Sequence, residues 1–157
     1  MAHTKPLLFW TNKNQRVAAL MTALDDPWLR PDADFPSNGT LEERIRFLIG
    51  SATLAPSGHN TQPWLFATGP DWVDVLADRT RALPVVDPQD RELTISCGVA
   101  VGTFEAAARR FSLQTTVATS PDSDFSDHLA RITVADGAQP DDSEIALFNA
   151  VKSRRTD

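Results

Sequence analysis

The sequence predicts an α+β domain, an antiparallel or mixed sheet of about four strands packed by helices. Three observations carry that expectation. A capping signature at Thr40 opens an apolar-striped helix, a second and longer stripe runs from about Arg91 to Phe111, and two pairs of strand-like runs lie on either side of it. The order helix, hairpin, helix, two strands, helix departs from the strict alternation of a parallel α/β sheet.

Along the chain, Leu7 to Trp10 is a short apolar run, and Gln15 to Leu24 is weakly amphipathic, with Val17, Leu20 and Leu24 at helical spacing. Residues 25–39 hold three prolines among Asp, Ser and Asn turn formers and read as a loop. Residues 1–39 are therefore expected to form an N-terminal extension with a loop, and 40–157 the domain. In Thr40-Leu41-Glu42-Glu43 the threonine hydroxyl can accept from the third helical amide while Glu43 reaches back to the cap. Leu41, Ile45, Leu48, Ile49, Ala52 and Leu54 form the apolar stripe that follows, and Pro56 and Gly58 end it.

Trp64 to Thr68 and Trp72 to Ala77 flank a Gly-Pro-Asp turn, the pattern of a hairpin. Arg79 to Asp90 is a Pro-rich connection. On the long helix Leu93, Cys97, Ala100, Val101, Phe104, Ala107 and Phe111 share one side, while Ser96, Gly98 and Gly102 are small enough for close helix contact. Leu113 to Thr119 and His128 to Val134 read as two further strands. The acidic run Asp141-Asp142-Ser143-Glu144 opens a last helix, as the helix dipole favours. Ile145, Leu147, Phe148 and Val151 give that helix its apolar side.

Composition narrows the function classes. With 157 residues, 41% hydrophobic and 23% charged, the chain can bury one core, and its formal charge of −6 shows no basic face for nucleic acid or anionic membranes. One cysteine, Cys97, excludes an internal disulfide, and His3, His59 and His128 with a single thiol have no zinc spacing. No apolar run reaches the length of a signal-peptide core or a membrane span. The expectation is a reduced, cytoplasmic protein without nucleic-acid or membrane partners. A Ser-His-Asp spacing, a G-x-G-x-x-G loop and paired catalytic carboxylates are all missing, so hydrolase and dinucleotide-binding readings gain no support.

The chemistry-bearing stretch is Ala55-Pro56-Ser57-Gly58-His59-Asn60-Thr61-Gln62-Pro63-Trp64. It offers amides, a hydroxyl and two carboxamides between a buried helix and a strand. Carboxamides donate and accept, which suits a ligand with alternating carbonyls and ring nitrogens. The plainer reading is a helix-stop loop built of turn formers, and composition alone leaves both open.

This segment is similar to the A-P-S-x-x-N-x-Q-P-W loop of the FMN-dependent nitroreductases. Asp87 with Arg91-Glu92 and Cys97-Gly98 resembles the D-x-x-x-R-E-x-x-x-x-C-G segment of the Acg-like branch of that family, and His59 fits the branch's A-P-S-x-H-N variant. Arg154-Arg155-Thr156-Asp157 resembles its R-R-T-[ND]-R. The three motifs lie in the family's order and cover roughly residues 41–157. The resemblance implies a nitroreductase-like half whose sheet and helices bind FMN. Pro56, Ser57, Gly58 and Asn60 take the flavin-contacting positions, with Gln62, Pro63 and Trp64 continuing the motif. Arg154, Arg155 and Thr156 take the positions that hold the FMN phosphate, a role an Arg pair at a helix end suits.

The implied activity is reduction of a small-molecule nitroaromatic or quinone-like acceptor, with NAD(P)H as donor. Acg-like proteins carry two such halves in one chain, so the resemblance also implies a front half, truncated, acting as a homodimer or with a missing second half. The basic residue after Asp157 is lacking, and no second R-x-[ST]-x-[RK] motif precedes the Ser57 loop. An FMN-binding or sequestering protein without efficient turnover, and an inactive truncated fragment, are the alternative readings.

Among the other residues, Cys97 inside an apolar stripe reads as a buried inert thiol in preference to a redox thiol. His59 reads as an ordinary hydrogen-bonding loop residue, with a proton donor as the alternative. Arg79, Arg81, Asp87 and Arg91 read as a solvated ion-pair network, with Arg91 a candidate anchor for the loop beside the helix start. The tryptophans read as packing residues.

Overall fold

The computed structural model describes residues 7–12, 15–19, 27–122 and 124–154. Among these residues three α-helices pack on a six-stranded sheet. In chain order the elements are β1 (Leu7–Asn12), β2 (Gln15–Ala19), α1 (Leu41–Ala52), β3 (Trp64–Thr68), β4 (Trp72–Ala77), α2 (Arg91–Arg110), β5 (Leu113–Thr119), β6 (His128–Asp136) and α3 (Asp142–Ser153). The sheet order is β2-β1-β3-β4-β6-β5, so β3, β4, β6 and β5, which ends the sheet, form the antiparallel four-stranded part that the sequence predicts. The sheet is mixed because β1 runs parallel to β3, with Phe9 opposite Phe66.

The helical spacing at Gln15 to Leu24 is overruled where the chain is described. Gln15–Ala19 is strand β2, paired antiparallel with β1, while residues 20–26 lie outside the described residues. A stripe of three apolar residues is a weak helix signal, and pairing along a neighbouring strand outweighs local preference of that size.

Helix α1 starts as its residues dictate: Thr40 Oγ1 accepts from Glu43 N at 3.2 Å, and Thr40 N donates to Glu43 Oε2 at 2.7 Å. Helix α3 repeats the device, with Asp141 Oδ1 accepting from Ser143 N and Glu144 N, both at 2.9 Å. The core lies between the helices and one face of the sheet. Phe66, Val73, Val75, Ile132 and Val134 meet Ile45, Leu48 and Ile49 of α1 and Leu93, Cys97, Ala100, Phe104 and Ala107 of α2.

Four phenylalanines fasten α3 and the 27–39 loop to this core. Phe35 stacks on Phe111 with centroids 4.2 Å apart, Phe47 meets both edge-on, and Phe111 meets the buried Phe148 of α3 at 5.7 Å. Ser96 is buried on α2, but Gly98 and Gly102 are exposed, with nothing within 4 Å of where a Cβ would stand. The close helix contact expected at those glycines is therefore not made by the described residues. Among the described residues no helix is long and apolar enough to cross a membrane.

The sheet's other face carries a charged cluster. Asp74 of β4 lies opposite Arg131 of β6 and takes two hydrogen bonds from it, at 2.6 and 2.7 Å. A register shift after Val75 sets His128 opposite Leu76, with its Nε2 3.0 Å from Asp74 Oδ1, within ion-pair reach but not aligned as a hydrogen bond. Arg131 also covers the Trp72 ring at 4.3 Å. Trp72 in turn lies over the hairpin turn, where a Cβ on Gly69 would come within 2.3 Å of the indole, so only glycine fits there.

Asp74 is buried, and its bidentate pair with Arg131 ties β4 to β6 beside the backbone ladder. Asp74→Ala is expected to cost about 2 kcal/mol, because Arg131 loses both its acceptors. Urea unfolding measures this, and an unchanged midpoint would show the pair to be energetically idle.

Candidate functional site

Between the end of α1 and the start of β3 the backbone turns sharply. His59 (φ 49), Asn60 (φ 53) and Gln62 (φ 50) all sit in the left-handed region although none is glycine. Each such residue costs roughly 1 kcal/mol or more, and such conformations persist only where the surroundings overdetermine them.

The anchors are visible on every side. Within the loop, Asn60 N donates to Ser57 O, and Thr61 N and Oγ1 donate to Gly58 O, each at 3.0 Å. Ser57 Oγ accepts from Gln62 N at 2.9 Å. From α2, Ser96 Oγ accepts from Gly58 N at 3.3 Å, and Cys97 Sγ donates to Pro63 O at 3.3 Å. From the segment after β4, Asp78 N donates to the same Pro63 oxygen at 2.9 Å. Arg81 donates to Gln62 O at 2.8 Å and to Thr61 O at 3.3 Å.

The side chains are left free in contrast. His59 and Asn60 are exposed, Gln62 is partly so, and none of the three side chains hydrogen-bonds any described residue. Ser57 Oγ uses acceptor capacity on Gln62, which leaves its own proton to donate outward. Pro56 is exposed beside it. The loop thus presents two carboxamides, an imidazole and a hydroxyl donor from a rigid backbone. It could grip a planar heterocycle edge carrying both donors and acceptors.

Helix α3 delivers the second predicted segment to this one. Arg154 caps its end and donates from Nη2 to the carbonyl of Leu54, the third residue before Ser57. Arg155 and Thr156 lie outside the described residues. Arg154 is thereby tied to Leu54, just before Pro56, while Ser96 on α2 holds Gly58.

Of the charged cluster around the Pro-rich connection, Arg79 behaves as a surface ion pair, joining Asp127 at 2.7 Å and Asp90. Arg81 does not: it is turned inward onto the loop, a role the sequence gives no sign of, since the reach from Arg81 to Gln62 spans 19 residues. Arg91 contributes its backbone amide to the helix start. Cys97 is buried, and burial pushes its thiol up to about 12, so it is inert as the sequence suggests. Among the described residues no group of His, Cys, Asp and Glu side chains is placed to hold a metal ion.

Asp87 starts α2 from a distance, accepting from Arg91 N at 2.9 Å and Leu93 N at 3.0 Å. Burial raises its carboxyl, but hydrogen bonds from the Leu93, Glu92 and Arg91 amides and the Arg91 charge prevail and hold it below its ordinary value.

No family model matches the chain. Named relatives do. Over 115 residues it is 37% identical to a Mycobacterium tuberculosis protein named as an NAD(P)H nitroreductase, covering 73% of this chain and 33% of the relative. It is 39% identical over 64 residues to the Serratia protein named NAD(P)H nitroreductase PigM, covering 40% of this chain and 18% of the relative. A second M. tuberculosis protein, named NAD(P)H nitroreductase acg, is 27% identical over 122 residues, 78% of this chain and 37% of its own. The chain spans about a third of the length of the first of these relatives.

The lowered Asp87 carboxyl fixes a pH dependence. A folded-state value below the unfolded one, about 3.9, means that its stabilisation is fully present above that value and is lost as pH falls through the folded value. In Asp87→Asn that part of the acid limb is expected to flatten. Urea midpoints followed from pH ~5 downward check it, and parallel limbs in the two proteins would refute it.

Proposed function

From the chain's membership of the nitroreductase superfamily, we propose that it forms the flavin-holding half of an FMN-dependent NAD(P)H oxidoreductase acting on nitroaromatic or quinone-like acceptors. The observation that carries the reading is the Ser57–Pro63 loop: a backbone tied by hydrogen bonds at Ser57, Gly58, Asn60, Thr61, Gln62 and Pro63, with the Asn60 and Gln62 carboxamides left unbonded.

The residues present fit the group. Asn60 and Gln62 offer both donors and acceptors to a ring edge of alternating carbonyls and nitrogens, and Ser57 offers one further donor. A Cβ on Gly58 would come within 2.8 Å of the Glu92 carboxylate, so glycine fits best at this position of the loop. Arg154, with Arg155 and Thr156 after it, would hold the phosphate. FMN, when bound, supplies the electron transfer; the protein's share is to bind, orient and exclude water. A rigid loop does this with little ordering cost on binding. A second copy of the chain, or a second half, would complete the site from the side of α2 where Ile95, Gly98 and Gly102 are exposed.

The purified chain is expected to bind FMN and to lose its yellow absorbance on anaerobic addition of NADPH or NADH. Asn60→Ala is expected to weaken FMN binding about tenfold, the worth of one to two hydrogen bonds. A chain that binds FMN but keeps its colour would be a flavin holder without turnover. A colourless protein that ignores added FMN would overturn the reading.

A further inference from the structure

Arg81 reaches the loop from outside and donates to two of its carbonyls. It lies in a single 3-10 turn, Arg79–Arg81, which Asp78 begins by accepting from Thr80 N at 3.1 Å. The buried Asp78 has three jobs at once. Its backbone N–H holds Pro63 O at 2.9 Å, its Oδ1 fixes the turn, and its Oδ2 lies 3.2 Å from Arg81 Nε. With Nε turned to Asp78, the guanidinium fork aims Nη1 at the carbonyls of Thr61 and Gln62. Three consecutive carbonyls, Thr61, Gln62 and Pro63, are thereby held by two residues of one short turn.

We propose that Arg81, oriented by Asp78, is the positioning residue of this site: it fixes the left-handed Gln62 backbone, and through it the Asn60 and Gln62 carboxamides, in the ligand-binding arrangement. The inference rests on the flavin reading for its ligand, but the clamp itself is a property of the free protein. Planarity matters to the role. An Arg fork can serve Asp78 and two carbonyls from one plane, whereas a lysine ammonium is a point donor on a flexible stem. Gln62 has the most to lose. Its φ of 50 is held on one side by Ser57 Oγ at its amide and on the other by Arg81 at its carbonyl. Without the second hold the residue can leave the left-handed region and relieve its strain.

The test compares Arg81→Ala with Arg79→Ala, which removes a similar guanidinium two residues away that bonds only Asp90 and Asp127. In the FMN-free proteins, amide hydrogen exchange at Gln62 is expected to be about tenfold faster in Arg81→Ala, with the β4 and β6 amides unchanged. The dissociation constant for FMN, read from quenching of flavin fluorescence, is expected to rise about tenfold in Arg81→Ala and not in Arg79→Ala. Arg81→Lys should fall between wild type and Arg81→Ala on both measures, and it carries the comparison should the alanine variant not fold.

Unchanged exchange at Gln62 would overturn the clamp. Faster exchange with unaltered FMN affinity would overturn its role in positioning, and equal loss in Arg79→Ala would reduce it to general stability. Failure of the wild-type chain to bind FMN would instead sink the functional reading, while the exchange comparison still decides whether Arg81 holds the loop.

Discussion

The shape of the proposed binding loop depends on how the backbone between Ser57 and Pro63 is held in place. Three non-glycine residues in the left-handed region would together cost several kcal/mol in an isolated peptide. The hydrogen bonds that hold them, each worth about 1 kcal/mol net, are of the same total order. The balance is close, so the loop's shape is a property of its surroundings: the Ser57 hydroxyl, Ser96 and Cys97 on α2, and Asp78 and Arg81 beyond β4.

The rest of the fold can be read as the means of bringing those anchors together. The β3–β4 hairpin is tight, closed on Gly69 beneath Trp72, so that Asp78 emerges beside Pro63, where β3 begins. Helix α2 crosses the back of the sheet with Leu93, Cys97, Ala100 and Phe104 in the core, which leaves Ser96 facing the loop. Asp87 fixes where that helix starts, and so where Ser96 lies. The phenylalanine cluster seats α3 against the end of α2, and Arg154, which caps α3, then meets Leu54 at the loop's entrance.

Local signals in the sequence were legible where the physics is local. The Thr40 and Asp141 caps, the Trp64–Thr68 and Trp72–Ala77 strands and the long α2 stripe depend on residues within a few positions of one another, and the structure reproduces them. Strand β2 was not legible, because its identity comes from pairing with β1 and its own apolar spacing points elsewhere. The candidate site divides the same way. The turn formers and carboxamides of residues 56–62 mark a loop in one dimension, with a ligand role resting on the family resemblance, and Arg154 marks a basic helix end. Arg81 sits in a run of charges that looks like surface, and only the approach of two segments in three dimensions turns it inward.

That contrast explains why the loop has the composition it has. A loop of glycines would reach the same left-handed angles without strain, but it would carry no carboxamides and would lose more entropy on ordering. Asn60 accepts the left-handed region more readily than most residues; His59 does so as well, and Gln62 less so. The sequence therefore keeps polar side chains at strained positions and moves the cost of holding them onto buried and half-buried anchors. The anchors engage backbone atoms alone, through Ser96, Cys97, Asp78 and Arg81, so no carboxamide is consumed in holding the loop's own shape. A scaffold that fixes main chain and leaves side chains free can offer a binding surface that is already ordered, and the free energy of binding then need not be spent on folding the loop.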